Sequence, residues 1–297
     1  MKTLVFGSLN IDLVYTVDHI AAPGETIGST SLTKSAGGKG ANQAAALAKA
    51  GIPVVIAGKI GSDGEFLAEL LESYGVNTSG IIRYDGATGH AIIQLDANKQ
   101  NSILLYPGGN GAITAHEVKT ALSGYSTGDL IVLQNEISCL YEIIVHAKEK
   151  GMRICLNPSP CSGIITTLPL ELVDIFFVNE IEGAILVSES QDAPLPHVLD
   201  KLTGRFPAAE IILTAGRDGA YYGCGTYRAK GDIVAAPVAD TTGAGDTFTG
   251  YFIAAREKGM EVPQALALAC KASSITVSRF GAMESIPMAC EVFAENY

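Results

Sequence analysis

The chain of 297 residues has no C-x-x-C pair among its six cysteines and no H-x-x-x-H spacing among its five histidines. Neither a thiolate metal knuckle nor a two-histidine metal helix is therefore encoded. Cys139, Cys155, Cys161, Cys224, Cys270 and Cys290 are expected to be free, buried thiols. Positive charge is also scarce. Twenty Lys and Arg face 31 Asp and Glu, and a formal net charge of −11 disfavours nucleic acid and anionic membranes as partners. A small anion remains admissible, because backbone N–H groups at a helix end bind phosphate whatever the global charge. No window reaches the roughly 18 apolar residues of a membrane span, and the opening strand runs into Gly7 too early for a secretory leader, which predicts a cytosolic protein. Neither G-x-x-x-x-G-K-[ST] nor a strand followed by G-x-G-x-x-G occurs, so two common nucleotide-binding signatures are missing. With no linker, internal repeat or low-complexity run, residues 1–297 are expected to form a single domain.

What is present is apolar and rhythmic. At 47% hydrophobic and 17% charged, the chain can bury a sizeable core. Short aliphatic runs at 3–6, 54–59, 130–134, 153–156, 175–178 and 211–214 read as strands. Amphipathic or Ala-rich stretches at 41–50, 65–74, 141–150 and 195–202 read as helices between them. Continuous apolar strands alternating with helices predict an α/β fold, a doubly wound and mostly parallel sheet with helices on both faces. Two regions break the rhythm: 11–18 with 26–34 around Pro23-Gly24, and 90–96 with 101–106 around a four-residue turn. Their alternation of polar and apolar residues predicts a small antiparallel β lid, contributed by about 11–35 and 89–106.

Three stretches carry groups suited to chemistry. In Asp240-Thr241-Thr242-Gly243-Ala244-Gly245-Asp246-Thr247-Phe248, the apolar residues Phe248, Phe252 and Ala255 have helical spacing. Gly243, Ala244 and Gly245 would then lie at a helix N-terminus as an anion hole, with Asp246 beside it in the first turn. A carboxylate there can accept a hydroxyl proton while the hole holds the transferred group; the alternative is an ordinary glycine turn with Asp246 near a helix cap. In Gly37-Gly38-Lys39-Gly40-Ala41-Asn42-Gln43, Lys39 and Asn42 share one side of a helix start and could reach a polyol. Asn10-x-Asp12 follows the first strand, where crevices of doubly wound sheets form.

These strings occur in one order with Pro23-Gly24-Glu25-Thr26, Asn157-Pro158 and Asn179-Glu180-x-Glu182 over nearly the whole chain. The combination resembles the PfkB sugar kinases, and the Gly-Gly-Lys-Gly-Ala-Asn-Gln string points to the ribose-phosphorylating members of that family. The resemblance implies an ATP-dependent kinase whose sugar lies between the sheet and the lid, with transfer to O5 of D-ribose. By matching positions, Asn10, Asp12, Gly38, Lys39, Asn42 and Glu136 would hold ribose hydroxyls, and Asp246 would be the catalytic base. Asn179, Thr214, Gly216, Gly245 and Cys270 would contact the nucleotide, with Mg²⁺ organised through water by Asn179 and Glu182. Asp240, Thr242, Thr276, Arg279, Gly281 and Ser285 match a monovalent-cation loop, implying K⁺. The sequence departs from the pattern at Cys270, where Asn or His is usual near the adenine, and at Met283-Glu284. The resemblance also implies a homodimer formed through the lid. Another pentose, a hexose or a nucleoside remains an alternative acceptor, and a non-catalytic sugar-binding regulator on the same scaffold is the alternative of a different class.

Overall fold

A computed structural model describes residues 1–161 and 163–293. The first half of the chain runs β1 (Thr3–Phe6), β2 (Asn10–Thr16), β3 (Ser31–Gly37), α1 (Lys39–Lys49), β4 (Val54–Ile60), α2 (Glu65–Ser73), β5 (Asn77–Arg83), β6 (Gly89–Leu95) and β7 (Asn101–Tyr106). It continues with α3 (Ala115–Leu122), β8 (Leu130–Gln134), α4 (Leu140–Glu149), β9 (Arg153–Asn157), β10 (Ile175–Asn179), α5 (Glu180–Leu186) and α6 (Leu195–Arg205). The last third holds β11 (Glu210–Thr214), β12 (Ala220–Cys224), β13 (Tyr227–Gly231), α7 (Ala244–Glu257), α8 (Val262–Val277) and α9 (Ala289–Val292).

Nine strands form one sheet in the order β13-β12-β11-β10-β9-β8-β1-β4-β5. It is parallel from β11 to β5, and β12 and β13 extend it antiparallel. The apolar runs are buried on both faces because successive side chains point to opposite sides. Leu4 and Phe6 of β1 enter one core cluster and Val5 the other; on β8, Ile131 and Leu133 share the first, Leu130 and Val132 the second. The chain leaves β1 for β4 on one side and later returns to β8 on the other. The carboxyl ends of β1 and β8 therefore bound a topological switch point, where doubly wound sheets open a crevice.

The smaller sheet has the order β3-β2-β6-β7. Each hairpin is antiparallel, and β2 runs parallel to β6 to join the two. Two expectations are corrected here. The return strand begins at Ser31 rather than Thr26, because the turn is wide: Glu25 accepts the Ala22 N–H at 2.9 Å and pairs with His19, and cross-strand bonding resumes only at Thr30, whose N–H donates to the Thr16 carbonyl at 2.8 Å. Asn10 and Asp12 both lie in β2, and their i, i+2 spacing sets them on one face. All six cysteines are free, but only Cys155 and Cys270 are buried; Cys290 is exposed in the first turn of the short helix α9.

Helix α1 is Ala-rich for a steric reason. It packs against α7 at near-backbone distance, so a Cβ added at Gly250 would lie 2.5 Å from the Ala46 methyl and 2.9 Å from its carbonyl carbon. Small side chains on both helices permit this approach, and one turn earlier they bring Asn42 and Gln43 over Asp246. The start of α1 is equally close to β1: Gly38 has φ +94°, and a Cβ there would lie 2.7 Å from the Ser8 carbonyl oxygen. Matched substitutions separate packing from propensity. Gly204→Ala in α6, where an added Cβ meets open space, should stabilise by about 0.5–1 kcal/mol. Gly250→Ala gains the same propensity but overpacks the α1–α7 contact and should destabilise by about 1–3 kcal/mol. Thermal melts of opposite sign are the expected result, and equal shifts would contradict the packing account.

Candidate active site

The carboxyl ends of β1, β8, β9, β10 and β11 deliver Ser8, Glu136, Asn157, Asn179 and Thr214 to one edge of the sheet, and α1 and α7 begin over that edge. Ser8 donates its hydroxyl to Glu136 Oε2 and accepts the Gly40 N–H on the same oxygen at 3.2 Å. The Lys39 N–H donates to Glu136 Oε2 at 3.2 Å. Asn10 is aimed by a residue the sequence reading did not single out: Asn110 Nδ2 donates to Asn10 Oδ1 at 2.7 Å, while its own Oδ1 accepts the Leu9 N–H at 3.1 Å. That leaves the Asn10 amide nitrogen as the free donor. Gly37 clears room for Asp12, since a Cβ there would sit 2.2 Å from Asp12 Oδ2.

Charge in this crevice is strongly coupled. Burial, together with the nearby Glu136 carboxylate, pushes the Asp12 carboxyl up to about 6. Glu136 is also raised, chiefly by burial, against the opposing pull of the Ser8 hydroxyl and the Lys39 ammonium. Burial disfavours the Lys39 ammonium, yet Asp246, Glu136 and Glu182 together outweigh it and hold its pKa above the ordinary lysine value. Lys39 is thus a half-buried cation facing three carboxylates.

Asp246 is 7% exposed in the first turn of α7. The cap alternative fails, because Gly243 is the N-cap, with φ +76°, and the Asp246 oxygens face side chains instead. Oδ2 accepts from Asn42 Nδ2 and Oδ1 from Gln43 Nε2, each at 2.9 Å. Asn42 Oδ1 is buried with no partner among the described residues, a cost of about 1–3 kcal/mol unless a ligand donor meets it. The first-turn N–H groups have no intrahelical acceptor. A Cβ at Gly245 would meet nothing within 4 Å, so the helix end faces open space. That space is a cavity of about 210 Å³ lined by Lys39, Asn179, Glu182, Gly243, Gly245 and Asp246.

A second cavity of about 330 Å³ adjoins the first along Thr214, Thr241 and Gly245. Its walls include Gly216, Ile233, Val234, Val238, Cys270 and Val277, a mostly apolar slot. The largest of the three cavities, about 520 Å³, shares only Asn10 and Glu136 with the predicted sugar residues and lacks Lys39 and Asp246. The reactive groups converge on the smallest cavity, so size is a poor guide here.

Asn179 and Glu182 form a reciprocal cap on α5: Asn179 Oδ1 accepts the Glu182 N–H at 2.8 Å, and Glu182 Oε2 accepts the Asn179 N–H at 3.1 Å. Among the described residues Glu182 Oε1 and Asn179 Nδ2 make no hydrogen bond, and both residues line the cavity. Among the described residues no group of three or more His, Cys, Asp or Glu could cage a metal. One free carboxylate oxygen suits a hydrated divalent ion carried on phosphates better than a stripped one. Beyond α7, Asp240 Oδ1 accepts from the Thr242 N–H at 2.9 Å and its hydroxyl at 2.7 Å, and Oδ2 accepts the Gly281 N–H at 3.2 Å. Despite its burial, these donors hold the Asp240 carboxyl below its ordinary value, and no Lys, Arg or His pairs with it among the described residues. Arg279 pairs with Glu291, its N–H meets the Thr276 carbonyl, and the Ser285 hydroxyl donates to the Ala282 carbonyl. The same loop is tied from behind by Lys49 Nζ, on the Met283 and Ile286 carbonyls at 2.6 and 3.1 Å, and by the Tyr251 hydroxyl on the Pro287 carbonyl at 2.6 Å.

Residues 2–289 match the pfkB family carbohydrate kinase profile. The chain is 33% identical over 300 residues to a ribokinase of Staphylococcus aureus, covering 98% of each chain. In structure it is similar to a ribokinase of Cryptococcus neoformans in complex with ADP, with a TM-score of 0.85, 35% identity and 98% of each chain covered. It is also similar to an Arabidopsis thaliana ribokinase complexed with ribose and ATP, with a TM-score of 0.86, 29% identity, and 98% of this chain and 97% of that one covered.

The raised carboxyl of Asp12 generates a pH prediction. With a pKa of about 6, Asp12 is an acceptor for hydroxyl groups above that pH and becomes a protonated, weaker acceptor below it. Affinity for a pentose, measured by calorimetry, should fall about tenfold between pH 7 and pH 5. Asp12→Asn should bind weakly at both pH values with little difference between them. Unchanged wild-type affinity across that window would contradict the assignment.

Proposed function

The chain belongs to the pfkB family of carbohydrate kinases, and on that premise we propose that it transfers the γ-phosphoryl group of MgATP to O5 of D-ribose. The observation that carries this reading is the buried Asp246 carboxylate, oriented by two amides and set beside an open helix N-terminus. Relatives at about one-third identity that are named ribokinases support ribose as the acceptor.

In this reading the sugar occupies the crevice between β2 and the start of α1. Asn10, Asp12, Gly38, Lys39 and Glu136 bind its ring hydroxyls, and the unpartnered Asn42 Oδ1 accepts one more. Asp246 takes the proton of the terminal hydroxyl as O5 forms its bond to phosphorus and the bond to the ADP oxygen breaks. The amides of Gly243, Ala244 and Gly245 and the Lys39 ammonium meet the charge that spreads over the phosphoryl oxygens. A magnesium ion on the phosphates would supply further neutralisation, with Asn179 and the free Glu182 oxygen reaching its water shell. The adenosine lies in the apolar slot, against Thr214, Gly216 and Cys270 of its lining. Potassium would sit against the unpaired Asp240 carboxylate, near Thr242, Thr276, Arg279, Gly281 and Ser285, and hold the loop on which Gly243 rests; a Cβ at Gly243 would lie 3.3 Å from the Ala282 carbonyl oxygen.

The small sheet serves as a lid that keeps water from competing as acceptor. Lys34 of β3 lies 4.3 Å from the centre of the Phe66 ring on α2, a contact between lid and body. Strand β7 is an edge with Ile103, Leu104, Leu105 and Tyr106 all exposed, and pairing with a second copy would cover it. No helix among the described residues is long and apolar enough to cross a membrane.

Two measurements test the function. First, kcat/KM for D-ribose should exceed that for 2-deoxyribose, fructose and adenosine; another acceptor preferred by about tenfold, or roughly 1.4 kcal/mol, would overturn the ribose assignment. Second, Asp246→Asn should lower kcat by about 10²- to 10⁴-fold with ribose and ATP affinities little changed. A folded variant turning over within about threefold of wild type would remove Asp246 as the base. No phosphorylation of any sugar by the unmutated chain would favour a binding protein on a kinase scaffold.

A further inference from the structure

Two buried glutamines stand behind Asp246. Gln43 on α1 and Gln134 at the carboxyl end of β8 are both fully buried. Gln43 Nε2 donates to Asp246 Oδ1 at 2.9 Å, and Gln134 Nε2 donates to Gln43 Oε1 at 2.6 Å. The direction of this chain is set from Asp246 outward. An ionised carboxylate only accepts, so Gln43 must turn its nitrogen toward it and its carbonyl away, and only a donor can then face that carbonyl. Gln134 supplies it at the expense of its own Oε1, which is buried with no partner among the described residues. A Cβ at Gly7 would lie 2.0 Å from that oxygen, so the residue that follows β1 leaves room for the Gln134 amide. A buried amide kept with one end unsatisfied calls for an explanation that packing alone does not provide.

We propose that Gln134 and Gln43 form a positioning relay for the base: Gln134 locks the Gln43 amide in one orientation, and that amide, with Asn42, aims the Asp246 carboxylate at the acceptor hydroxyl. The proposal rests on the reading of Asp246 as the base. Neither glutamine touches substrate. An unlocked Gln43 can rotate its carbonyl against the carboxylate, which favours the protonated acid and withdraws the base. Among the described residues, Lys39 from α1 and Glu136 beyond β8 are coupled to Asp246 by charge and Glu182 lines the same cavity, while Gln43 and Asn42 are its neutral hydrogen-bond partners.

The test compares steady-state kinetics and melting of Gln43→Met, Gln134→Met, the double variant and Asp246→Asn. Gln43→Met should lower kcat by about 10- to 100-fold and Gln134→Met by about 3- to 10-fold, with ribose KM within about threefold. Because Gln134 acts only through Gln43, the double variant should be no slower than Gln43→Met. Gln43→Glu keeps shape and polarity and should move the acid limb of the kcat–pH profile upward by about one pH unit or more. This last variant decides the matter if the methionine variants do not fold. Single variants within twofold of wild-type kcat, additive losses in the double variant, or an unmoved acid limb in Gln43→Glu would each overturn the relay. If Asp246→Asn loses turnover while the glutamine variants keep it, the relay alone fails; if Asp246→Asn keeps turnover, the base assignment fails with it.

Discussion

The near-backbone contact between α1 and α7 is the constraint from which the site follows. Ala46 and Gly250 let the two helices meet, and the consequence one turn away is that Asn42 and Gln43 reach both oxygens of Asp246. Other parts hang on the same pair. Helix α1 starts at Lys39 because Gly38 turns the chain sharply against Ser8, and α7 starts at the Gly243 turn. The far end of α1 sends Lys49 to carbonyls of the loop behind that turn, and α7 sends Tyr251 to the same loop. Separating the helices would therefore disturb the carboxylate, the phosphate turn and the loop behind it together.

Electrostatics explain how a chain of net charge −11 can be built to hold a polyphosphate. In the proposed function the anion would face backbone amides, a helix terminus and one half-buried lysine rather than a basic surface. That lysine is kept charged by Asp246, Glu136 and Glu182, while Asp12 and Glu136 are crowded enough to be raised. Such a crevice is unrelieved without ligand. In the proposed function, sugar hydroxyls would ease the carboxylates and phosphate oxygens the lysine, so each substrate would improve the electrostatic setting of the other.

Much of this was legible in the sequence, for identifiable reasons. Strands 3–6 and 130–134 match the structure to the residue because both are short apolar runs buried on two faces. The outlying strands β5, β12 and β13 were not read: β5 and β13 carry exposed polar residues on their edges, and β12 is broken by Gly223. The Gly-Ala-Gly turn and the Lys39–Asn42 spacing are local signals, and the structure brings them together with Asn10, Asp12 and Glu136. Asn110, Gln43 and Gln134 escaped because their importance lies in what they touch across the fold. A glutamine in an Ala-rich helix looks like a solvated residue until the partner helix is in place. Asp240 and its loop illustrate the opposite limit, since the cation site proposed there would be made largely of backbone groups, which leave little mark on residue identity.

The most direct test of the central claim is a crystal structure with D-ribose and a non-hydrolysable ATP analogue bound. The account places the ribose O5 within hydrogen-bond distance of the Asp246 carboxylate, which keeps its bonds to Asn42 and Gln43, and the γ-phosphate analogue on the amides of Gly243–Gly245. A ribose that presents a different hydroxyl to Asp246, or a γ-phosphate seated away from the start of α7, would contradict it.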